Sequence, residues 1–401
     1  MNMLLIDDDP FALKLLARQL DRLGHFQVTR CERAQEALTL LEEHPGTFEL
    51  LFCDLQMPDI DGVEFVRHLA RIEFGGSLVL VSGEDGRIVQ TVQRLAQAHH
   101  IRMLGALSKP VSNEALQQLL TRAATVEGSV QHPAAPAFAP EELERGIAAG
   151  ELVNHYQSKV DLDTGMLLGV EALVRWQHPQ AGLVFPDRFI PTAEEHGLID
   201  GLTHAVLVAA LRQAREWQDG GLSLQVAVNI SMDNLATLDF PDLVVRLADE
   251  AGVALSSLVL EVTESRLMKD LRTPLDILTR LRLKRVGLSI DDFGTGHSSL
   301  AQLRDLPFDE LKLDRSFVNG ACNDASKRAI VEATLVMAHQ LGMKTVAEGV
   351  EDRADWDFLR ELGCDVAQGY FIARPMPGAQ MSGWRAGWEQ RRHELGASSR
   401  P

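Results

Sequence analysis

Two rhythms of apolar and polar positions divide this chain. From Met1 to about Ala124, short apolar runs alternate with stretches whose apolar residues recur every three or four positions. Met3–Asp7, Gln27–Arg30, Leu50–Asp54, Leu78–Val81 and Met103–Leu107 read as strands. Phe11–Leu23 and Ala34–Glu43 carry helical periodicity. Five βα units in this order predict an α/β domain with a doubly wound parallel sheet. Its site lies at the carboxyl ends of the strands.

A second series begins after residue 150. Seven short apolar runs each carry, at or near their end, a residue able to hold a cation or a hydrogen bond. They are Gly169–Leu173 with Glu171, Val226–Asn229, Leu258–Glu261, Leu288–Asp292, Glu310–Lys312, Thr345–Glu348 and Val366–Gln368. Strands that end this way and alternate with helices predict a (β/α)8 TIM-like barrel, with one mouth at the strands' carboxyl ends. Glu171, Glu261, Asp291, Asp292 and Glu348 are acidic. Carboxylates so crowded repel one another unless cations sit among them. The pattern therefore predicts a metal-dependent enzyme. Between the two series, Glu127–Pro140 is rich in Pro and Ala and lacks periodicity, as a semi-rigid linker does. The expected organisation is a first domain at 1–124, a linker at 125–140, a barrel at 141–390 and a polar tail at 391–401. The tail is expected to fray beyond Trp388.

Composition narrows the function. A chain of 401 residues is long enough for two sizeable cores. The formal net charge of −18 argues against a broad basic face for nucleic acid. A small phosphorylated substrate stays compatible, because bound divalent cations reverse the local field. Cys31, Cys53, Cys322 and Cys364 form neither a C-x-x-C pair nor a zinc spacing and are expected to be reduced. The N-terminus meets Asp7 too soon for a secretory signal. No apolar stretch is long enough for a bilayer, so a cytoplasmic protein without membrane contact is expected.

In the first series, Asp7 and Asp8 close one run, Asp54 closes the third, Ser82 the fourth, and Lys109-Pro110 follows the fifth. Three carboxylates at one sheet edge suit a Mg2+. Asp54 is the central nucleophile, Lys109 would neutralise an arriving phosphoryl group, and the Ser82 hydroxyl could bond one of its oxygens. Taken alone, Asp7-Asp8 serves equally well as a helix N-cap cluster before Pro10-Phe11. The ordered set resembles the response-regulator receiver domain. That resemblance implies Asp54 as phosphoacceptor, Asp7 and Asp8 as Mg2+ acids, Ser82 as switch hydroxyl and Lys109 as phosphate partner. It also implies a sensor histidine kinase as partner. Receivers usually carry an aromatic residue three positions before the lysine. Here Ala106 stands there, which puts the usual hydroxyl–aromatic relay in question.

In the second series, the adjacent pair Asp291-Asp292 can bridge two cations, and two metals about 3.5–4 Å apart are a common device for phosphodiester cleavage. Phe293–Ser299 is a Gly-rich turn that lets backbone approach a phosphate. Lys312 can position water or stabilise developing charge. Glu348 is a candidate base or ligand, with Glu351 on the same loop, and Arg175 a phosphate clamp. Bland roles stand beside these. Asn229 alone would cap a turn, Glu264 would belong to a helix start, and His178, His297 and His339 would pack or face solvent. No His pair has zinc-helix spacing, and acids with amides favour Mg2+ or Mn2+.

Glu171-Ala172-Leu173-Val174-Arg175-Trp176 resembles the signature of the EAL family of cyclic di-GMP phosphodiesterases. The likeness runs from about Pro140 to Trp388. It includes Val228–Ser231, Leu260–Glu264, Ile290–Gly296, Leu311–Asp314, Ala347–Glu351 and Gln368–Tyr370. It implies a modified barrel that opens one bond of cyclic di-GMP to give linear pGpG. It implies Glu171, Asn229, Glu261 and Asp291 as ligands of one metal, and Asp291 and Asp292 as ligands of another. Lys312, Glu348 and Glu351 then resemble catalytic and water-positioning residues, with either Lys312 or Glu348 as general base. Gln368 would lie near the substrate, and Glu264 would tether the Gly-rich loop. The family also implies a homo-oligomer. No G-G-[DE]-E-F signature and no helix-turn-helix are present, so neither cyclic di-GMP synthesis nor direct DNA binding is expected. The competing class is a catalytically silent cyclic di-GMP sensor that signals to protein partners.

Overall fold

A computed structural model describes residues 2–24, 27–84, 86–99, 101–128, 138–263, 272–294 and 300–396. The chain divides into two compact units, Met1–Ala135 and Pro136–Pro401.

The first unit contains β1 (Met3–Ile6), β2 (Val28–Cys31), β3 (Leu50–Asp54), β4 (Ser77–Ser82) and β5 (Arg102–Ser108). All pair in parallel, in the order β2-β1-β3-β4-β5. Leu4, Ile6, Leu51 and Cys53 enter one apolar layer with Phe65 and Leu69. Met3, Leu5, Leu50 and Phe52 enter the other with Leu20 and Leu116. Both faces of the central strands are thus covered, which is why their sequences are apolar without alternation. Strand order reverses between β1 and β3, and the crevice at such a reversal is where Asp7 and Asp54 emerge. The helix Pro10–Arg22 is capped by Asp9, whose Oδ1 accepts the N–H of Phe11 at 2.8 Å. The cap is therefore Asp9, and Asp7 and Asp8 do not serve as one.

The second unit holds β6 (Leu152–Asp161), β7 (Leu167–His178), β8 (Gly182–Val184), β9 (Gln225–Ile230), β10 (Leu258–Thr263), β11 (Gly287–Phe293), β12 (Glu310–Leu313), β13 (Lys344–Ala347), β14 (Val366–Ala367) and β15 (Met376–Pro377). Strands β7 and β9 to β14 run parallel around a barrel. They contain, or stop one residue short of the end of, the seven apolar runs. The ring is closed by β6, antiparallel to both β7 and β14. This eighth strand gave no apolar signal, and the reason is physical. Gln157 and Lys159 on it are buried and face the barrel interior, where they bond Gln368 and Glu261, so its inward positions are polar. Asn154 and Ser158, buried on the other face, bond Val206 and Met381 of the surrounding helices. The short β8 and β15 pair at the outside of the ring.

Helices pack the barrel's outer face. Trp176 at the end of β7 is fully buried. Its ring meets those of Phe138 and Phe189, and its indole N–H donates to Glu151 at 2.8 Å. The last helix, Met381–Gly396, continues well past Trp388. It does not fray there, because Leu395 is buried and its carbonyl accepts from Arg360 at 3.3 Å. The helix Asn113–Gly128 reaches the start of the Pro/Ala-rich segment and Pro140–Ala148 starts at its end. Residues 129–137 of that segment lie outside the described residues. No described helix is long and apolar enough to cross a membrane.

Candidate active site

The barrel mouth is shaped by an irregularity in β11. Neighbouring residues on a regular strand face opposite sides, so Asp291 and Asp292 should diverge. They do not, because Asp291 and Asp292 together oppose Lys312 alone, a β-bulge between Ile290 and Phe293. Asp292 takes a left-handed conformation with φ 55°. That costs on the order of 1 kcal/mol for a residue other than glycine. The bulge brings both carboxylates into acidic groupings. Glu171, Glu261 and Asp291 form one and Asp291, Asp292 and Glu348 the other, each with oxygens within 4.8 Å of one another. Asp291 is shared.

A buried ammonium sits among them. Lys312 Nζ lies 2.7 Å from Glu261 Oε2, 2.7 Å from Glu348 Oε1, 3.1 Å from Asp291 Oδ1 and 3.7 Å from Glu171 Oε1. Below it, Lys159 Nζ of β6 reaches Glu261 Oε1 at 2.7 Å and Glu310 Oε1 at 3.1 Å. Glu261 is fully buried between the two lysines. Burial opposes its ionisation, but Lys159 and Lys312 outweigh that and hold its pKa at about 2. Burial pushes Glu348 up to about 8 against the pull of Lys312, with Asp291 and Glu171 adding to the rise. Glu171 and Asp292 are also raised, chiefly by burial. Lys312 is raised because four carboxylates overcome its desolvation.

The charge balance fits divalent cations. Six carboxylates (Glu171, Glu261, Asp291, Asp292, Glu310, Glu348) share this column with two ammoniums (Lys159, Lys312), an excess of four negative charges when all are ionised. Two divalent ions carry that charge. The donors are hard oxygens, as Mg2+ and Mn2+ prefer.

Amides complete the mouth. Asn229 Nδ2 donates to Glu171 Oε1 at 2.7 Å. Gln368 Nε2 donates to Glu171 Oε2 at 2.5 Å and to Gln157 Oε1 at 3.0 Å. The Gln368 Oε1 atom is buried without a hydrogen-bond partner, and the carboxylate beside the nitrogen fixes which end of the amide is which. Backbone bonds join the Gln368 and Glu348 loops: Val350 N–H to Gln368 O at 3.1 Å, and Phe371 N–H to Val350 O at 3.0 Å. Between them Gly369 is obligatory, since a Cβ there would run into the backbone N and carbonyl of Val350. Arg175 is buried, with its guanidinium 4.8 Å from the centre of the Phe185 ring and one N–H donated to Val174 O at 2.7 Å.

Some expected residues fall elsewhere. Glu351 is exposed and outside both acidic groupings, with its N–H held by Asp355 at 3.3 Å. Glu264 and His297, with residues 295–299 of the Gly-rich turn, lie outside the described residues. His178 is a packing residue, bonded to Glu142 and to the N–H groups of Gln180 and Ala181. His339 pairs with Asp365 at 3.0 Å. Sequence patterns had missed Lys159, Gln157 and Glu310. The available signal was a lysine inside the strand-like Tyr156-Gln157-Ser158-Lys159-Val160.

The first unit has a smaller site of the same kind. Lys109 Nζ lies 2.6 Å from Asp54 Oδ2 and 2.7 Å from Asp7 Oδ2. Asp54 Oδ1 accepts the N–H groups of Leu55 and Gln56 at 2.7 and 3.4 Å. Asp7 and Asp54 are buried and Asp8 is exposed, and oxygens of all three lie within 4.8 Å of one another. The Lys109 N–H donates to Ser82 O at 2.9 Å, and Ser82 Oγ accepts from Glu84 N–H at 3.0 Å. Ala106 is exposed on β5 and brings no ring to this end of the sheet.

A family model for the EAL domain matches residues 140–375. The chain belongs to the EAL-domain family. A response regulator receiver domain model matches residues 3–121 ahead of the EAL barrel. Nearly the whole chain is similar to the cyclic di-GMP phosphodiesterase RocR of Pseudomonas aeruginosa, 33% identical over 379 residues that cover 94% of this chain and 96% of RocR. The bifunctional diguanylate cyclase/cyclic di-GMP phosphodiesterase MucR of the same organism is 45% identical over 241 residues, 60% of this chain and 35% of MucR. A solved structure of the PaMucR phosphodiesterase in complex with c-di-GMP matches at a TM-score of 0.58 and 45% identity, covering 60% of this chain and 98% of that one.

Two outcomes are expected of the EAL barrel. A carboxyl with a raised pKa keeps its proton in the folded state after the unfolded chain has lost it. Stability therefore falls as pH climbs from near 4.5 toward 8. In chelator, Glu348→Gln should melt close to wild type at pH 5 and roughly 10 °C higher at pH 8.5. The same difference at both pH values would remove the assignment. Gly369→Ala should displace Gln368 from Glu171, and a displacement of about 1 Å can cost on the order of a hundredfold in turnover. Near-normal turnover of cyclic di-GMP by that variant would show that the loop relaxes around the added methyl.

Proposed function

We propose that the barrel hydrolyses one phosphodiester bond of cyclic di-GMP to give linear pGpG, using two Mg2+ or Mn2+ ions, and that phosphorylation of Asp54 modulates the rate. The observation that carries this is the bulge at Asp291-Asp292, which joins two carboxylate groupings through one shared aspartate. Cyclic di-GMP phosphodiesterase activity is supported by the family match and the near full-length likeness to RocR.

Glu171, Asn229, Glu261 and Asp291 would hold one cation, and Asp291 and Asp292 the other, with Glu348 in reach of the second. Bound there, the ions would polarise the phosphate and acidify the attacking water. The chain's own residues do the rest. Lys312 is hydrogen-bonded as an ammonium to Glu261, Glu348 and Asp291, so it has no lone pair with which to take a proton. It stabilises negative charge. Glu348, partly open to the mouth, is the proton acceptor, its carboxyl ionised once bound cations offset the burial that raises its pKa to about 8. Arg175, stacked on Phe185, meets the phosphate, and Gln368 holds Glu171 in place beside the substrate through its amide nitrogen. Glu351 stands at the exposed rim, outside both acidic groupings.

In the receiver, Asp54 presents Oδ2 beside Lys109 while two backbone N–H groups fix Oδ1. That arrangement supports attack on a phosphodonor, with Asp7 and Asp8 holding one Mg2+ and a sensor kinase as the donor's source. The exposed Ala106 argues for a response that does not run through an aromatic switch.

Purified protein incubated with cyclic di-GMP and Mg2+ or Mn2+ should yield pGpG on chromatography. Glu171→Ala should lose roughly a hundredfold or more of that rate. Intact substrate from wild type with both metals would favour a silent sensor. Labelling by acetyl phosphate should occur on wild type and not on Asp54→Asn, and equal labelling of the two would remove Asp54 as the acceptor.

A further inference from the structure

Lys159 has no part in the chemistry above, yet it is buried and paired with two carboxylates. It lies on the reversed strand β6, buried, opposite Gly169 in the β6–β7 ladder. Gly169 stands two residues before Glu171 on β7, so Lys159 comes at the acidic mouth from below. Its ammonium touches two carboxylates that face different ways. One is Glu261 Oε1 at 2.7 Å, and the other is Glu310 Oε1 at 3.1 Å. Glu310 is fixed in turn, because the hydroxyl of the fully buried Ser289 donates to the same Oε1 at 3.0 Å.

We infer that Lys159 is a positioning residue that clamps Glu261 so that its Oε2 faces the cation shared with Glu171 and Asp291. The terminal torsion of a glutamate is broad and nearly two-fold, so its own bonding sets no orientation. Partners must do so. With Oε1 taken by Lys159, Glu261 turns Oε2 toward Lys312 and the mouth, where Glu171 and Asp291 have oxygens within 4.8 Å. Ser289 and Glu310 form the base of the clamp, and Lys159 carries its hold to the ligand. This rests on the metal reading of the mouth and adds a residue that the acidic pattern does not reveal. Groups that orient a metal ligand typically change affinity by about 10–100-fold when removed.

The test is Mn2+ binding to the full chain without nucleotide, read from the free-Mn2+ paramagnetic resonance signal, beside turnover across a Mn2+ series. Lys159→Met should raise the Mn2+ Kd of one of the two sites by about 10–100-fold. Turnover should return at saturating Mn2+, with an unchanged KM for cyclic di-GMP. Glu310→Gln, which loosens the clamp without touching Glu261, should shift the same site in the same direction by less than Lys159→Met does, because it acts one step further from the ligand. A cooperatively melting Lys159→Met protein with wild-type Mn2+ affinity overturns the proposal. So does a loss of turnover that no Mn2+ concentration restores, which would mark a purely structural residue. If Lys159→Met does not melt cooperatively, the charge-compensated pair Lys159→Met with Glu310→Gln is judged by the same two criteria. Wild-type protein that binds no Mn2+ would instead sink the metal reading of the mouth, and the clamp with it.

Discussion

Everything at the barrel mouth is arranged around one buried ammonium. Lys312 is fully buried, and three carboxylates lie within 3.1 Å of its nitrogen. Stripping water from such a group costs several kcal/mol, and only close, well-directed counter-charges offset it. A hydrophobic residue would fill the same volume at less risk to stability. The network is therefore better understood as specifying where carboxylate oxygens point. Bulge, amides and glycine turns then follow as ways of delivering those oxygens.

The two units solve a similar problem at different scale. In each, strand carboxyl ends bring acids together, and a lysine on or just beyond another strand of the same sheet bridges them. Lys109 lies between Asp7 and Asp54, as Lys312 lies between Glu261 and Glu348. The receiver site is half open, and its lysine is 28% exposed against 1% for Lys312. Openness suits a group that must meet a phosphodonor. Enclosure suits a site where charge must act undiluted by water.

Reversal of β6 has the widest structural consequence. An all-parallel barrel would bring only the ends of seven or eight strands to the mouth. The antiparallel strand instead contributes from the middle of its length, with Gln157 bonded to Gln368 and Lys159 to Glu261. The lower part of the site is thereby tied to Glu310 and Ser289, well inside the barrel.

The sequence by itself determined the two domain classes, the seven parallel strands and the acids at their ends, because apolar runs and terminal carboxylates are local patterns. The receiver strands lie within a residue or two of their apolar runs, and the match is cleanest for β1, β3 and β4, which are buried throughout and so must be almost wholly apolar. Tertiary structure alone decided three things. It made Asp9 the helix cap, which depends on where β1 stops. It turned Asp292 beside Asp291 through a bulge, which depends on pairing with β12. It put Lys159 under Glu261, a contact across 102 positions of chain. A buried lysine reads locally as a surface residue. Only the closing of the barrel supplies the carboxylates that make its burial affordable.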